Sequence, residues 1–266
     1  MNPMNVSIIG GGTIGSSMAI PIRKAGFRVR VTRRNTSSLR ELEEYGIEVS
    51  TDNATSAGWA EIVIFALKPV DLIPQISKIR EHLQGKIVIS MAAAVPMSAI
   101  SRSVGSAYVV RAMTNIASRV GSGFTPYSLI SEDAEKIKLT EKVLGALGRA
   151  ERVEERYMDA LTALSGSGPA YILTIIEAMM YGGLKVGLPR DLALRASYQT
   201  VMGAAKLLAE SGEHPSALKE KVITPGGTTI DGIFELEEGR VRTAIMKAIE
   251  ASTQKAIKIS EAMFMQ

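Results

Sequence analysis

The sequence predicts an α/β chain: a mainly parallel, doubly wound sheet with helices on both faces over residues 1–152, then an all-helical domain over 153–266. Three observations carry this. Val6-Ser7-Ile8-Ile9 runs straight into the glycine string Gly10-Gly11-Gly12-Thr13-Ile14-Gly15. Short apolar runs then alternate with helical spacing as far as about Arg152, and beyond it the strand-like runs stop. At 266 residues the chain is long for one core, since domains of about 100–150 residues are commonest.

The first element is a short buried strand at Val6–Ile9. Met18, Ile20, Ile22 and Ala25 then suggest a helix ending at Gly26. In a strand–turn–helix context each glycine of a G-x-G-x-x-G string has its own role. Gly10 makes the tight turn, Gly12 lets backbone approach a pyrophosphate, and Gly15 lets helix pack on strand. That spacing points to a dinucleotide site; the alternative is a plain structural βα turn. Phe27-Arg28-Val29-Arg30-Val31 supplies the second strand. An acidic residue at its end would bond the ribose hydroxyls of NAD, but the chain reads Thr32-Arg33-Arg34-Asn35-Thr36. Guanidinium groups match a phosphate by bidentate hydrogen bonds, so NADPH is expected over NADH, with Arg33, Arg34 and the adjoining Asn35 on the cofactor side.

Further strands are expected at Ile62–Leu67, ending at Lys68-Pro69; at Lys86–Met91, ending at Ala92-Ala93-Ala94; and at Ala107–Met113, before Thr114-Asn115. Ligands of open α/β sheets sit beyond the carboxyl ends of the strands, which puts Lys68, Ala92 and Ala93 at the cofactor rim. Lys68 could otherwise be a solvated surface lysine. A hinge is expected over Gly145–Arg152.

In the second half, Ile172, Ile175, Ile176, Met179 and Met180 form one helical stripe, and Val201, Ala204, Ala205 and Leu208 a second. Ile245, Ile249, Ser252, Ala256, Ile259 and Met263 alternate steps of four and three, the spacing of a seam between packed helices. Such a seam hints that two protomers associate. Ahead of Ile230, Ile233 and Phe234 lies Thr224-Pro225-Gly226-Gly227-Thr228-Thr229. Two glycines admit a ligand to the backbone, the threonines offer hydroxyls and a cap, and a helix N-terminus favours negative charge. An uncharged seat for a small carboxylate results; an ordinary capped turn is the plainer alternative.

Composition narrows the function. There is no cysteine, so disulfides, thiol catalysis and cysteine metal sites are excluded. His82 and His214 stand far apart in polar surroundings, and no metal centre is expected. A net charge of +4 without a basic tract argues against nucleic acid. Met1–Asn5 lacks a leader pattern and no apolar run is long enough to span a bilayer, so no membrane partner and a cytoplasmic location are expected.

Over nearly its whole length the chain resembles the pyrroline-5-carboxylate reductase family. The resemblance rests on Gly10–Gly15, Ala66-Leu67-Lys68-Pro69, Leu164-Ser165-Gly166-Ser167-Gly168-Pro169-Ala170-Tyr171, Gly187-Leu188-Pro189-Arg190 and Pro225-Gly226-Gly227-Thr228-Thr229. It implies a Rossmann N-terminal domain, a helical C-terminal dimerisation domain giving a homodimer or higher homo-oligomer, and NAD(P)H-dependent reduction of a cyclic imine to L-proline. NADH remains possible but less preferred. On the cofactor side it implies Gly10, Gly12, Thr13, Ile14 and Gly15, Asn53, Ala66, Leu67, Lys68 and Pro69, Met91, Ala92 and Ala93, with Glu155 and Lys221 in addition. Gly226, Gly227, Thr228 and Thr229 fall where the family holds its substrate, and Thr229 and Lys68 are the catalytic candidates.

The departures are informative. Where the family usually reads Arg-x-Met-Pro-Asn-Thr-Pro-Ala, this chain has Arg111-Ala112-Met113-Thr114-Asn115-Ile116-Ala117-Ser118. Two rigid φ angles are released, and a loop that sits differently or moves more is expected. The family's glycine after Ala92-Ala93 is Ala94 here, and Thr224 replaces the serine before Pro-Gly-Gly. Alternatives are a reductase of a related cyclic imine, a β-hydroxyacid dehydrogenase, and a non-catalytic NADPH-binding protein. The second should carry an asparagine four residues after its catalytic lysine, whereas Lys185 has Pro189 at that offset.

Overall fold

The computed structural model describes residues 3–264. Met1 and Asn2, the first two residues of the Met1–Asn5 stretch read above, lie outside the described residues. The elements run β1 (Asn5–Ile9), α1 (Thr13–Lys24), β2 (Arg28–Thr32), α2 (Arg40–Glu43), β3 (Glu48–Ser50), α3 (Asn53–Trp59), β4 (Ile62–Phe65), α4 (Pro69–Lys78), β5 (Ile87–Ser90), α5 (Met97–Val104) and β6 (Tyr108–Ala112). Then come β7 (Gly123–Leu129), α6 (Ala134–Gly145), β8 (Gly148–Arg152) and α7 (Met158–Leu161).

The strands form one sheet in the order β3-β2-β1-β4-β5-β6-β7-β8. Pairing is parallel from β3 through to β6; β7 joins β6 antiparallel, and β8 runs parallel to β7. Strand order reverses at β1, which pairs with β2 on one side and β4 on the other. That reversal is the switch point at which open sheets of this kind bind ligands.

The continuous apolar runs follow from burial on both faces, because alternate side chains of a strand point to opposite sides. Val6 and Ile8, Ile62 and Ile64, and Ile87 and Ile89 join one core cluster with Met18 and Ile22 of α1. Ile9, Val63, Phe65 and Val88 join a second with Leu72 and Ile76 of α4. Both layers depend on the sheet between them.

The expected hinge at Gly145–Arg152 is corrected: Gly148–Arg152 is β8, in register with Gly123–Tyr127 of β7. Gly148 is required there, since it stands at φ 131° and an added Cβ would lie 2.2 Å from the Gly123 carbonyl oxygen. The charged composition of β8 hid it, as suits a strand at the sheet's edge.

The remaining elements are helices: α8 (Gly168–Lys185), α9 (Arg190–Ser211), α10 (Pro215–Val222), α11 (Thr228–Glu238) and α12 (Val241–Phe264). The described residues divide into two compact units, one running to Pro169 and resuming at Glu250, the other Ala170–Ile249. The sequence places a single boundary at 152/153; the residues that follow it stay with the sheet because Arg111 of β6 bonds Asp159 of α7. Within Ala170–Ile249 the described buried residues are Met180, Ala193 and Ser197. The seam on α12 is its sheltered face: Ile245, Ile249, Ser252, Ile259 and Met263 are half-buried and Ala256 buried. No described helix is long and apolar enough to cross a membrane.

Candidate active site

The turn from β1 to α1 shows the geometry expected of each glycine. Gly10 has φ 106°, and a Cβ on it would lie 2.5 Å from the Ala66 carbonyl oxygen at the end of β4. A Cβ on Gly15 would lie 2.0 Å from the Gly10 carbonyl oxygen, so only glycine allows this approach of helix to turn. Around Gly12 the space is open, with nothing within 4 Å of an added Cβ. Gly12 is also the N-cap of α1 and brings no side chain to cap it, leaving first-turn N–H groups beside that opening. The residues present therefore fit a pyrophosphate, which needs bare backbone and a positive helix end.

The Gly10 and Gly11 N–H groups both donate to the Thr32 carbonyl, at 3.2 and 2.7 Å, which locks the glycine turn to the end of β2. Past Thr32, Arg33 reaches back: its Nη1 donates to the Gly11 carbonyl at 3.1 Å and to Ser38 Oγ at 2.7 Å. The exposed Arg34 makes no recorded hydrogen bond or ion pair among the described residues. Asn35 Oδ1 accepts from the backbone N–H and the hydroxyl of Ser37, shaping the loop. The two arginines thus differ, one bracing the turn and one free.

The other strand ends carry the remaining cofactor-side candidates. Asn53 opens α3, where Asp52 caps the helix by accepting from Ala54 and Thr55 N–H. Hydrogen bonds from the Thr55 hydroxyl, then its backbone N–H, hold the Asp52 carboxyl below the ordinary range. Lys68 is the N-cap of α4 with Pro69 at the first helical position, and its exposed ammonium has no recorded partner among the described residues. Met91 and Ala92 are buried at the end of β5, and Ala93 is partly exposed. Ala94, in place of the family's glycine, stands in the left-handed region at φ 59°.

The 113–118 loop, expected to sit differently or to move more, is tied by hydrogen bonds of its own. Thr114 and Thr125 hydroxyls bond at 2.9 Å, and Asn115 accepts from the Ala117 N–H, a donor that proline lacks. Asn115 also donates to the Ser165 carbonyl at 2.8 Å. The Ser17 hydroxyl of α1 donates to the Ile14 carbonyl, so in the 2.8 Å Ser17–Ser118 contact the proton comes from Ser118. Lost prolines are replaced by hydrogen bonds. Sequence reasoning missed these ties because a buried serine in a helix carries no local signal of a partner a hundred residues away.

Two residues given a cofactor-side role by resemblance are engaged within the protein. One carboxylate oxygen of Glu155 accepts from Met97 N–H at 2.6 Å and from Arg111 at 3.1 Å. Lys221 pairs with Glu213 at 2.7 Å.

Gly226, Gly227, Thr228 and Thr229 lie in the Ala170–Ile249 unit. Gly226 has φ 66°, and a Cβ on Gly227 would meet Thr224 Oγ1 at 2.3 Å. The expected threonine cap is corrected: Gly227 is the N-cap of α11 and no side chain caps it. Thr228 and Thr229 are instead the first helical residues, so their N–H groups are among those with no partner inside the helix. Bare amides suit a carboxylate better than capped ones.

No group of three or more potential metal ligands exists among the described residues. A switch-point glycine turn with an arginine-bearing β2 end, joined to a helical unit, defines a dinucleotide-dependent oxidoreductase. The model described as "Pyrroline-5-carboxylate reductase dimerisation" matches residues 155–259, and that described as "NADP oxidoreductase coenzyme F420-dependent" matches 5–94. A pyrroline-5-carboxylate reductase of Methanosarcina acetivorans is 38% identical, over 98% of this chain and 100% of its own length. The solved Plasmodium falciparum pyrroline carboxylate reductase, which has NADP bound, superposes with a TM-score of 0.90 at 26% identity, covering 98% of this chain and 99% of that one. The Coxiella burnetii pyrroline-5-carboxylate reductase does so with a TM-score of 0.85 at 32% identity, covering 97% and 99%. The chain belongs to the pyrroline-5-carboxylate reductase family.

Proposed function

We propose that this chain reduces 1-pyrroline-5-carboxylate to L-proline with NADPH, as a homodimer or higher homo-oligomer in the cytoplasm. The observation that carries the reading is the β1–α1 turn, open at Gly12 and closed to any side chain at Gly10 and Gly15, in a chain of this family. When bound, NADPH supplies the hydride that reduces the imine carbon. Gly10, Gly12, Thr13, Ile14 and Gly15 hold the pyrophosphate, and Asn53, Ala66–Pro69 and Met91–Ala93 line the rest. Arg34 is free to face a ribose phosphate, while Arg33 braces the Gly11 carbonyl and Asn35 shapes the loop.

The substrate carboxylate belongs on the uncapped N–H groups at Gly227–Thr229, where the helix end favours negative charge by about 0.3–1 kcal/mol. Thr229 Oγ1 bonds the ring nitrogen, and Lys68 Nζ or water delivers its proton. The carbon bearing the carboxylate keeps its configuration, since hydride adds to the ring carbon on the other side of nitrogen. The exposed apolar residues of the helical unit, Tyr198 and Met202 among them, are the surface for a second copy.

The test is NADPH oxidation followed by absorbance with pyrroline-5-carboxylate, with its six-membered homologue, and, in reverse, with a 3-hydroxy acid plus NADP. Turnover is expected with the five-membered imine, and Thr229→Ala should lower kcat/KM by roughly ten-fold, equivalent to a hydrogen bond of about 1.4 kcal/mol. Turnover of the hydroxy acid alone, or of no substrate, overturns the reading.

A further inference from the structure

Arg111 is a charged residue inside an apolar strand, only 5% exposed, near the carboxyl end of β6. Isolated buried charges are costly, so its partners define its purpose. One guanidinium nitrogen donates to Glu155 Oε1 at 3.1 Å and the other to Asp159 Oδ1 at 2.5 Å. That same Glu155 oxygen accepts the Met97 N–H at 2.6 Å.

Met97 is the first residue of α5, whose N-cap is Pro96 and whose N-terminus has no side-chain cap of its own. Glu155, 58 residues away, therefore satisfies an N–H that the local sequence leaves open. Between β5 and that held N–H lies the Met91–Pro96 stretch. Met91, Ala92, Ala94 and Val95 are buried, and Ala94 has φ 59°, a conformation an alanine adopts rarely. Such backbone persists where its surroundings fix it. Pairing of β5 holds one end, and the Arg111–Glu155 contact holds the other.

We propose that Arg111 is a positioning residue for the reductase reaction: through Glu155 it fixes the Met91–Ala93 segment against which the cofactor sits. This rests on the proposed NADPH-dependent function. It gives Glu155 an indirect part in cofactor binding, by way of α5, and assigns Arg111 a part beyond stability. Asp159 takes the second half of the guanidinium fork and keeps it aimed.

The test uses the full chain with Arg111→Met, Arg111→Lys, Glu155→Ala and Glu155→Gln. NADPH binding is followed by nicotinamide fluorescence, turnover by KM and kcat, and backbone freedom by amide hydrogen exchange. Arg111→Met and Glu155→Ala should weaken NADPH binding about ten-fold, equivalent to about 1.4 kcal/mol, and speed exchange at Met97, with little change in KM for the imine. Glu155→Gln keeps an oxygen for Met97 N–H and should recover most of the affinity; Arg111→Lys keeps the charge without the fork and should recover part. If Arg111→Met fails to fold, Glu155→Ala and the partial loss in Arg111→Lys carry the measurement. Folded Arg111→Met or Glu155→Ala with unchanged NADPH affinity, or with weakened binding but unchanged exchange at Met97, overturns the proposal. Binding and exchange need no imine, so a wild-type chain that binds NADPH yet turns over none would sink the functional reading, while the effect of Arg111 on NADPH binding would still be read on its own.

Discussion

The two compact units solve the same problem in opposite ways. In the unit around the sheet, each central strand lies between two layers of side chains, and residues such as Ile64 and Phe65 are wholly buried. Between Ala170 and Ile249 the helices are just as regular, yet Leu173, Tyr181, Met202, Leu207, Phe234 and Met246 are each more than half exposed. Regular helices do not imply a core, because backbone hydrogen bonds close within each helix whether or not its apolar face is covered. A sheet strand has no such independence. The contrast teaches that the first unit covers its apolar side chains within one chain, while the second leaves apolar surface exposed, the face on which the proposed self-association rests.

Three substitutions would break or sharpen that contrast. Ile64→Ala removes a wholly buried side chain from the centre of β4 and should cost about 2–5 kcal/mol. Urea denaturation should show this cost unchanged on dilution; a cost that varies with protein concentration would mean the first core also depends on association. Met202→Glu places a charge on the exposed apolar face of α9 and should weaken self-association at least ten-fold, about 1.4 kcal/mol. Sedimentation velocity on dilution would read this, and an unaltered association constant would remove that face from the proposed interface. Ser118→Ala is the mildest: it leaves the Ser17 hydroxyl its bond to the Ile14 carbonyl but takes away the link to the loop, costing about 1 kcal/mol. Equal stability with wild type in the same denaturation experiment would show that the loop is held by its other ties.

The sheet's centre was legible because β1, β4, β5 and β6 are apolar runs, and the glycine string fixed the switch point at which to look for a ligand. The margins were not. Glu48-Val49-Ser50 is a three-residue strand with one apolar side chain, β7 contains Pro126, and β8 is largely charged. β3 and β8, at the two edges, avoid the patterns that mark central strands, since an apolar edge would invite pairing with another chain, and Pro126 argues against a strand at β7 although β7 pairs on both sides. At the site, Gly10, Gly12 and Gly15 could be assigned from chemistry alone, as a turn needs them wherever it occurs. The Arg111 cluster could not, because its carboxylates come 44 and 48 residues later and only the fold brings them to one guanidinium. Likewise the threonines after Gly227 look like caps by type, but the helix begins one residue too early for them to serve.

α12 begins in one unit and ends in the other, with Phe264 packed on the cluster that includes Phe65, so the chain of the Ala170–Ile249 unit runs into the sheet's unit at both of its ends. A tether at each terminus restricts how far the interposed segment can wander when unfolded. Dissecting this enzyme into parts consequently demands two cuts and a new splice; a lone stop codon after Pro169 would strip the sheet of an aromatic contributed by the far end of the chain.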